Sequence, residues 1–413
     1  MNEAPPDLGL KTDEDSALFR PQQILADLHH PTLASFIDMA RWMAAAMVMV
    51  AHLRNPLFLG YGSLSAQDKP LWVRCWYFLT GYHAEAVLIF FVLSGFLVGG
   101  LSMARARQGT FSSPNYAIDR ISRLFIAFAP AVLVTFLLDW IGSNWLVGSG
   151  LYNGMHPMIV EKIHGVHFED HLTLPIVLGN LAMLQNYYVP TLGSNDPLWT
   201  LSTEFWFYFV FGCMLTAWGA LGTARGFLLF AALIACMALG GEFVLLFGLW
   251  LIGFLAACIR PAKPGPVWLP LSLLVSWLVF MRIEDGLFDA NLSLKDAAHY
   301  VMAIFFGWTI LSMRGRTSAL MERIAGFNRF MADFSYSLYL IHFPLLIFMV
   351  ALLGMLTGKT GFMHGFRPTD PVGLASYAGL ILFIFSVSWG FAQLTEQKTG
   401  KLRRWLKSRL GVA

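Results

Sequence analysis

The sequence predicts an all-α, polytopic membrane protein, and three observations carry that prediction. Of 413 residues only 13% are charged, where a soluble chain carries about a quarter; 57% are hydrophobic and the mean hydropathy is +0.60. Apolar stretches long enough to cross roughly 30 Å of hydrocarbon recur from Ile37 to Leu394. In lipid each must be a helix, because an unpaired backbone group there costs several kcal/mol. Arginine and lysine gather in alternate connections, the pattern of a chain threaded repeatedly through a bilayer.

Taken in order, the candidate spans are 37–56, 84–103, 121–141, 198–218, 226–241, 243–259, 267–281, 299–313, 334–356 and 373–394, about ten transmembrane helices. Arg105, Arg107, Arg120 and Arg123 flank one side, as do Arg225, Arg260 with Lys263, then Arg314, Arg316, Arg323 and Arg329, and finally Lys398 to Arg409. The positive-inside rule puts these connections, and both termini, in the cytoplasm. Connections such as 282–298, with Glu284, Asp285, Asp289 and Asp296, then face outward. The apolar piece 174–188 would have both flanks outside, so it is expected to be a re-entrant or interfacial segment.

Residues 1–36 hold prolines and acidic residues without the apolar core of a cleaved leader, and are expected to form a flexible cytoplasmic N-terminal tail. Residues 37–397 form one transmembrane domain and 398–413 a basic cytoplasmic tail. Cys75, Cys213, Cys236 and Cys258 show no paired spacing and no Cys/His cluster, so neither a disulfide framework nor a metal site is expected. With a formal net charge of +3 and no nucleic-acid motif, the expected partner is the lipid bilayer, with no nucleic acid.

Ionisable residues inside spans are costly and usually line a pathway. Arg41 and His52 lie eleven residues apart in the first span, nearly on one face and roughly 16 Å apart along the axis. Asp38 is one turn before Arg41 and placed to pair with it. Glu204 sits about two turns into a span that begins at the outer face, at a depth similar to His52, so a carboxylate orienting the imidazole is expected. Trp199 and Ser202 on the same turns are candidate tunnel lining. Arg120 and Arg123, one turn apart at a helix start, could grip phosphates bidentately. Ser94, His342, His83 and Glu85 are further candidates for the tunnel wall or acceptor mouth. Each has a structural alternative: Arg41 snorkelling, His52 and His342 in packing, Glu204 favoured by a helix dipole, the arginines as flanking charges.

Arg41 with ten residues before His52, the Phe90-Phe91-Val92-Leu93-Ser94-Gly95-Phe96-Leu97 run, Arg120-x-x-Arg123, Leu198-Trp199-Thr200-Leu201-Ser202-Thr203-Glu204, and Ser335-Tyr336-Ser337-Leu338-Tyr339-Leu340-Ile341-His342-Phe343-Pro344 occur in one order. Together they resemble the membrane acyltransferase-3 family over nearly all of residues 35–397, and Glu396 fits the family's glutamate after the last span. Where that family often has a Gly-Leu-Arg-Gly-like run, this chain has Met39-Ala40-Arg41-Trp42.

The resemblance implies an integral protein of a bacterial inner (plasma) membrane that moves an acyl group from cytoplasmic acyl-coenzyme A to a hydroxyl of an extracytoplasmic carbohydrate. Acetyl-coenzyme A is the usual donor, and no metal is called for. His52 would be the catalytic base, Arg41 a donor-side residue, and Arg120 and Arg123 coenzyme contacts. Many relatives carry a fused extracytoplasmic domain; here any hand-off protein would be separate. The rival function is a transporter or flippase without acyl transfer, against which stand the missing inverted repeat and the one-sided placement of the ionisable residues.

Overall fold

The computed structural model describes residues 23–162, 167–259 and 265–412, so Arg260, Lys263 and residues 1–22 of the expected tail lie outside the described residues. The principal helices are α1 (Pro31–Leu57), α2 (His83–Ser94), α3 (Gly100–Arg107), α4 (Ser113–Trp145), α5 (Trp199–Gly219), α6 (Gly222–Cys258), α7 (Trp268–Ile283), α8 (Leu292–Met313), α9 (Ser335–Thr357), α10 (Pro371–Leu394) and α11 (Thr399–Leu410). Among the described residues there is no β-strand, only the isolated bridges Phe58–Phe366 and Gln185–Val189. The chain is an all-α polytopic membrane protein.

Seven helices among the described residues are long and apolar enough to cross a membrane, against the ten spans expected. The difference has three physical sources. The spans 226–241 and 243–259 belong to one helical run, α6, broken at Gly240 (φ +87°, ψ −178°). At 16 residues α7 is short for a crossing, and α8 is diluted by Lys295, Asp296 and His299 in its first turns.

The break in α6 makes a hairpin. Tyr188, beside the start of α5, donates to the Ala238 carbonyl. The chain then runs back past α2, where Trp250 meets Gly95 and Ala257 meets Gly100. α2 and α6 touch backbone to backbone: a Cβ on Gly95 would overlap the Trp250 carbonyl, and one on Gly253 the Val92 carbonyl. A single π-helical stretch, Gly95–Gly99, joins α2 to α3 at this crossing.

The folded body begins before residue 37. Ile24–His29 is a helix whose Ile24 is fully buried, and Asp27 pairs with Arg314 at 2.8 Å. Arg314 Nη1 also donates to the carbonyls of Ala256 and Ala257 at 2.9 Å, satisfying the end of α6 where no intrahelical partner exists. The stretch after 398 is likewise a helix, α11, with its basic residues spread along it.

Residues 174–188 do not cross. Leu174–Leu181 makes two turns, about 12 Å, and the chain then reverses through Met183 (φ 57°) and Asn186 (φ 71°). Protein covers the irregular backbone: Asn180 Nδ2 donates to the Ile176 and Pro190 carbonyls, and Gln185 Nε2 to Leu198. This is the condition under which non-helical chain is tolerated at membrane depth.

Candidate active site

α1, α2, α4, α5 and α9, with the segments 332–333 and 396–403, enclose a cavity of about 490 Å³, a size typical of small-molecule sites. Its two ends differ in chemistry. At one end stand Arg41, Arg120, Arg123, Asp333, Glu396, Gln397 and Arg403; toward the other the wall becomes Val87, Phe90, Phe91, Thr200, Leu201 and Tyr339.

The charges at the arginine end are unevenly balanced. Arg123 Nη2 lies 2.9 Å from Glu396 Oε1, and the other carboxylate oxygen accepts from Ser337 N–H (3.1 Å) and Oγ–H (3.0 Å). Arg41 is 3.8 Å from Asp38, as the spacing predicted. Among the described residues Arg120 has no carboxylate within reach and its buried Nε has no hydrogen-bond partner; its guanidinium lies 5.9 Å from the Tyr116 ring centroid and 5.8 Å from that of Tyr208. An unneutralised guanidinium in a cavity wall is a ready seat for an anion. Trp42, the departure noted beside Arg41, turns away and donates to Asn328 Oδ1 at 3.0 Å.

Glu204 lines the middle of the cavity. It makes no hydrogen bond to His52; its Oε1 accepts from the Tyr208 hydroxyl at 2.5 Å. Tyr208 is 3.1 Å from Ser94 Oγ, which accepts from Trp250 Nε1–H at 3.1 Å. Indole only donates and a carboxylate only accepts, so the proton order is fixed: Trp250 to Ser94, Ser94 to Tyr208, Tyr208 to Glu204.

His52 finds its partner on α9. Its Nδ1 is 3.0 Å from His342 Nε2, and the two rings stack with centroids 5.3 Å apart. His342 is fully buried, and its Nδ1 faces the carbonyls of Tyr339 (2.8 Å) and Leu338 (3.2 Å). Carbonyls accept only, so His342 in its neutral form carries its proton on Nδ1 and presents an Nε2 lone pair. His52 must then donate from Nδ1, which leaves its Nε2 as an open base. Pro344 sits two residues on and lacks an N–H, which frees the Leu340 carbonyl; Asn195 Nδ2 fills that vacancy at 2.9 Å and pins the loop before α5 onto this part of α9.

The cavity and the histidine pair are neighbours without being continuous. His52 and His342 do not line the cavity; Tyr339, which does, has its ring centroid 5.8 Å from that of His342 and meets Phe90 edge-on at 5.6 Å. His83 also meets His52 edge-on, centroids 5.5 Å apart, with Glu85 two residues beyond at the start of α2. Trp199 packs edge-on against Phe91, and Ser202 Oγ–H is used by the Gln185 carbonyl at 2.8 Å, so neither lines the cavity.

Sequence reasoning brought Arg41, Ser94, Arg120, Arg123 and Glu204 to one wall and missed several of their companions. Tyr208 was findable as the residue one turn after Glu204. Tyr339 and Tyr336 lie in the same run as His342. Arg403 and Asp333, from connections between or beyond the spans, gave no such signal. No group of three or more His, Cys, Asp or Glu among the described residues is arranged to hold a metal ion.

Comparison with known proteins gives these residues a family setting. An O-acetyl transferase of Shigella phage Sf6 is 28% identical over 179 residues, 42% of this chain and 44% of that protein. Nodulation protein 10 of Rhizobium leguminosarum bv. viciae is 25% identical over 405 residues, 91% of this chain and 96% of that protein. An uncharacterized Haemophilus influenzae protein is 27% identical over 129 residues, 31% of this chain and 47% of that one. The match thus spans less than half of the phage and Haemophilus proteins and nearly all of the Rhizobium one. No solved structure matches. Residues 35–400, which contain every residue of the histidine pair and all of the cavity wall except Arg403, match the acyltransferase domain model, and the chain belongs to the acyltransferase-3 family.

Proposed function

We propose that this protein is a membrane O-acyltransferase that takes an acyl group, acetyl in the first instance, from cytoplasmic acyl-coenzyme A and places it on a hydroxyl of an extracytoplasmic polysaccharide or glycolipid. The observation that carries this reading is the His52–His342 pair, which leaves one imidazole nitrogen basic, next to a cavity with an arginine-lined end. By the positive-inside rule the arginine end faces the cytoplasm, and the family resemblance implies a bacterial inner membrane.

In this reading the donor's phosphates dock at Arg120 and Arg123, with Arg41 deeper, and its narrow arm follows the apolar wall toward Tyr339. Tyr339 and Phe90 stand between the cavity and the pair, so their rings must part for the thioester to reach His52. The acceptor arrives from the His83 side. His52 Nε2 takes the acceptor's hydroxyl proton as the oxygen attacks the thioester carbonyl; the C–S bond breaks and the thiolate leaves with the proton returned by His52. General-base help of this kind is worth about 10² to 10⁴-fold in rate. Glu204, bound by the Tyr208 hydroxyl, contributes a hydrogen-bond acceptor to the donor arm's surroundings.

The test uses membranes containing the full chain and labelled acetyl-coenzyme A, with thiol release and label on cell-surface glycans read together. His52→Ala is expected to lose both by about 10² or more while still inserting. Undiminished transfer by that variant would end the assignment, and movement of an unmodified substrate with no thiol released would point to a transporter.

A further inference from the structure

We infer that the C-terminal helix α11 completes the donor's phosphate site, with Arg403 as the phosphate ligand and Asp119 as the residue that positions it. The inference rests on the donor reading above and extends it to a helix that follows the apolar run of α10.

Arg403 lines the arginine end of the cavity although it lies beyond the last long apolar helix. Its Nε is 3.2 Å from Asp119 Oδ1, and its two Nη atoms make no ion pair or hydrogen bond among the described residues. The contact is an ion pair without hydrogen-bond geometry at either atom, and an arginine paired through its Nε edge keeps the Nη fork for a second anion, which suits a phosphate. Asp119 is buried and also draws Arg105 (3.6 Å) and Lys407 (3.6 Å), so three cations share one carboxylate directly before Arg120 in α4. Arg123 and Arg41 by contrast each face a carboxylate of their own. The surplus positive charge at this end therefore lies with Arg120 and the Asp119 cluster, and within that cluster Arg403 is the member in the cavity wall. Coenzyme A carries both a diphosphate and a 3′-phosphate, so a site built on Arg120 and Arg123 leaves a phosphate for a further cation. An anionic lipid headgroup offers the same phosphate chemistry, and the experiment separates the two sources.

Full-length protein is placed in nanodiscs of phosphatidylcholine, alone or mixed with phosphatidylglycerol, and titrated with acetyl-coenzyme A and with acetyl-pantetheine, which has the thioester and no phosphate. Arg403→Gln is expected to weaken acetyl-coenzyme A binding about tenfold, the worth of one charge-assisted hydrogen bond, and to leave acetyl-pantetheine unchanged in both lipids. Asp119→Asn is expected to give a smaller loss with the same donor selectivity, and unchanged thermal melting of both variants excludes misfolding. An equal loss for both donors, no loss, or a loss seen only with phosphatidylglycerol overturns the inference. Failure of the unsubstituted protein to bind acetyl-coenzyme A overturns the donor reading itself, a distinct result.

Discussion

A glutamine at position 342 can offer an amide oxygen to the His52 Nδ1–H, whereas a leucine of similar bulk cannot. His342→Gln is therefore expected to keep most of the transfer rate, and His342→Leu to lose about 10²-fold or more in kcat with KM for the donor little changed. Equal losses in both variants would assign His342 to packing. A second residue-scale prediction concerns His156, outside the spans. It is nearly inaccessible, its Nδ1 accepts from Met158 N–H, and burial together with nearby His364 pushes its pKa down to about 4 from 6.5. A base held neutral in the fold but free to protonate when unfolded makes stability rise with pH. Its contribution is full above about 6.5 and is lost as pH falls toward 4, a change of roughly 2 to 3 kcal/mol. Thermal melting across that window is expected to be flatter in His156→Gln than in the parent, and identical slopes would contradict it. At this scale the sequence made the Arg41–His52 stripe readable, because both residues share one helix. It did not reveal the histidine's partner: depth along two helices follows from counting residues, whereas rotation about their axes does not, and α5 turns Glu204 into the cavity wall, which His52 does not line.

Between elements, contact is decided by the atoms a glycine omits. Gly95 and Gly253 let α2 and α6 meet at their backbones, which holds Trp250 against Ser94 and so fixes the first link of the chain ending at Glu204. Gly253→Ala would force the helices apart at a cost of about 2 kcal/mol or more. Reduced recovery of folded protein and a lower melting temperature are expected, against little change for Gly226→Ala, whose Cβ would meet open space. The small-residue surface at Ser94-Gly95 was legible as a place of close approach, but its partner helix was not. The segment 174–188 was legible as non-crossing from charge parity, and its buried amides supply the backbone partners that composition alone cannot assign.

For the molecule as a whole, composition and periodicity sufficed for an all-α membrane body, since the bilayer permits so few alternatives. Edges were less readable: the fold extends upstream to Ile24 and downstream through α11 because single polar residues, Asp27 with Arg314 and Asp119 with Arg403, anchor flanking segments that hydropathy treats as tails. The bend at Gly240 has a consequence for how the chain is laid down. A straight helix of the length of α6, 37 residues, would reach about 55 Å, far beyond one leaflet pair, and the break at Gly240 divides that overlong run into two halves of membrane-compatible length. A left-handed φ of +87° suits glycine and strains any side chain. Gly240→Leu is therefore expected to favour an uninterrupted rod that crosses once, and a reporter fused after residue 412 would then emerge on the opposite face of the membrane. An unchanged reporter side would mean that the downstream arginines dictate orientation on their own. If it does flip, the even or odd number of crossings, and with it the address of Glu396 and Arg403, depends on one missing methyl group.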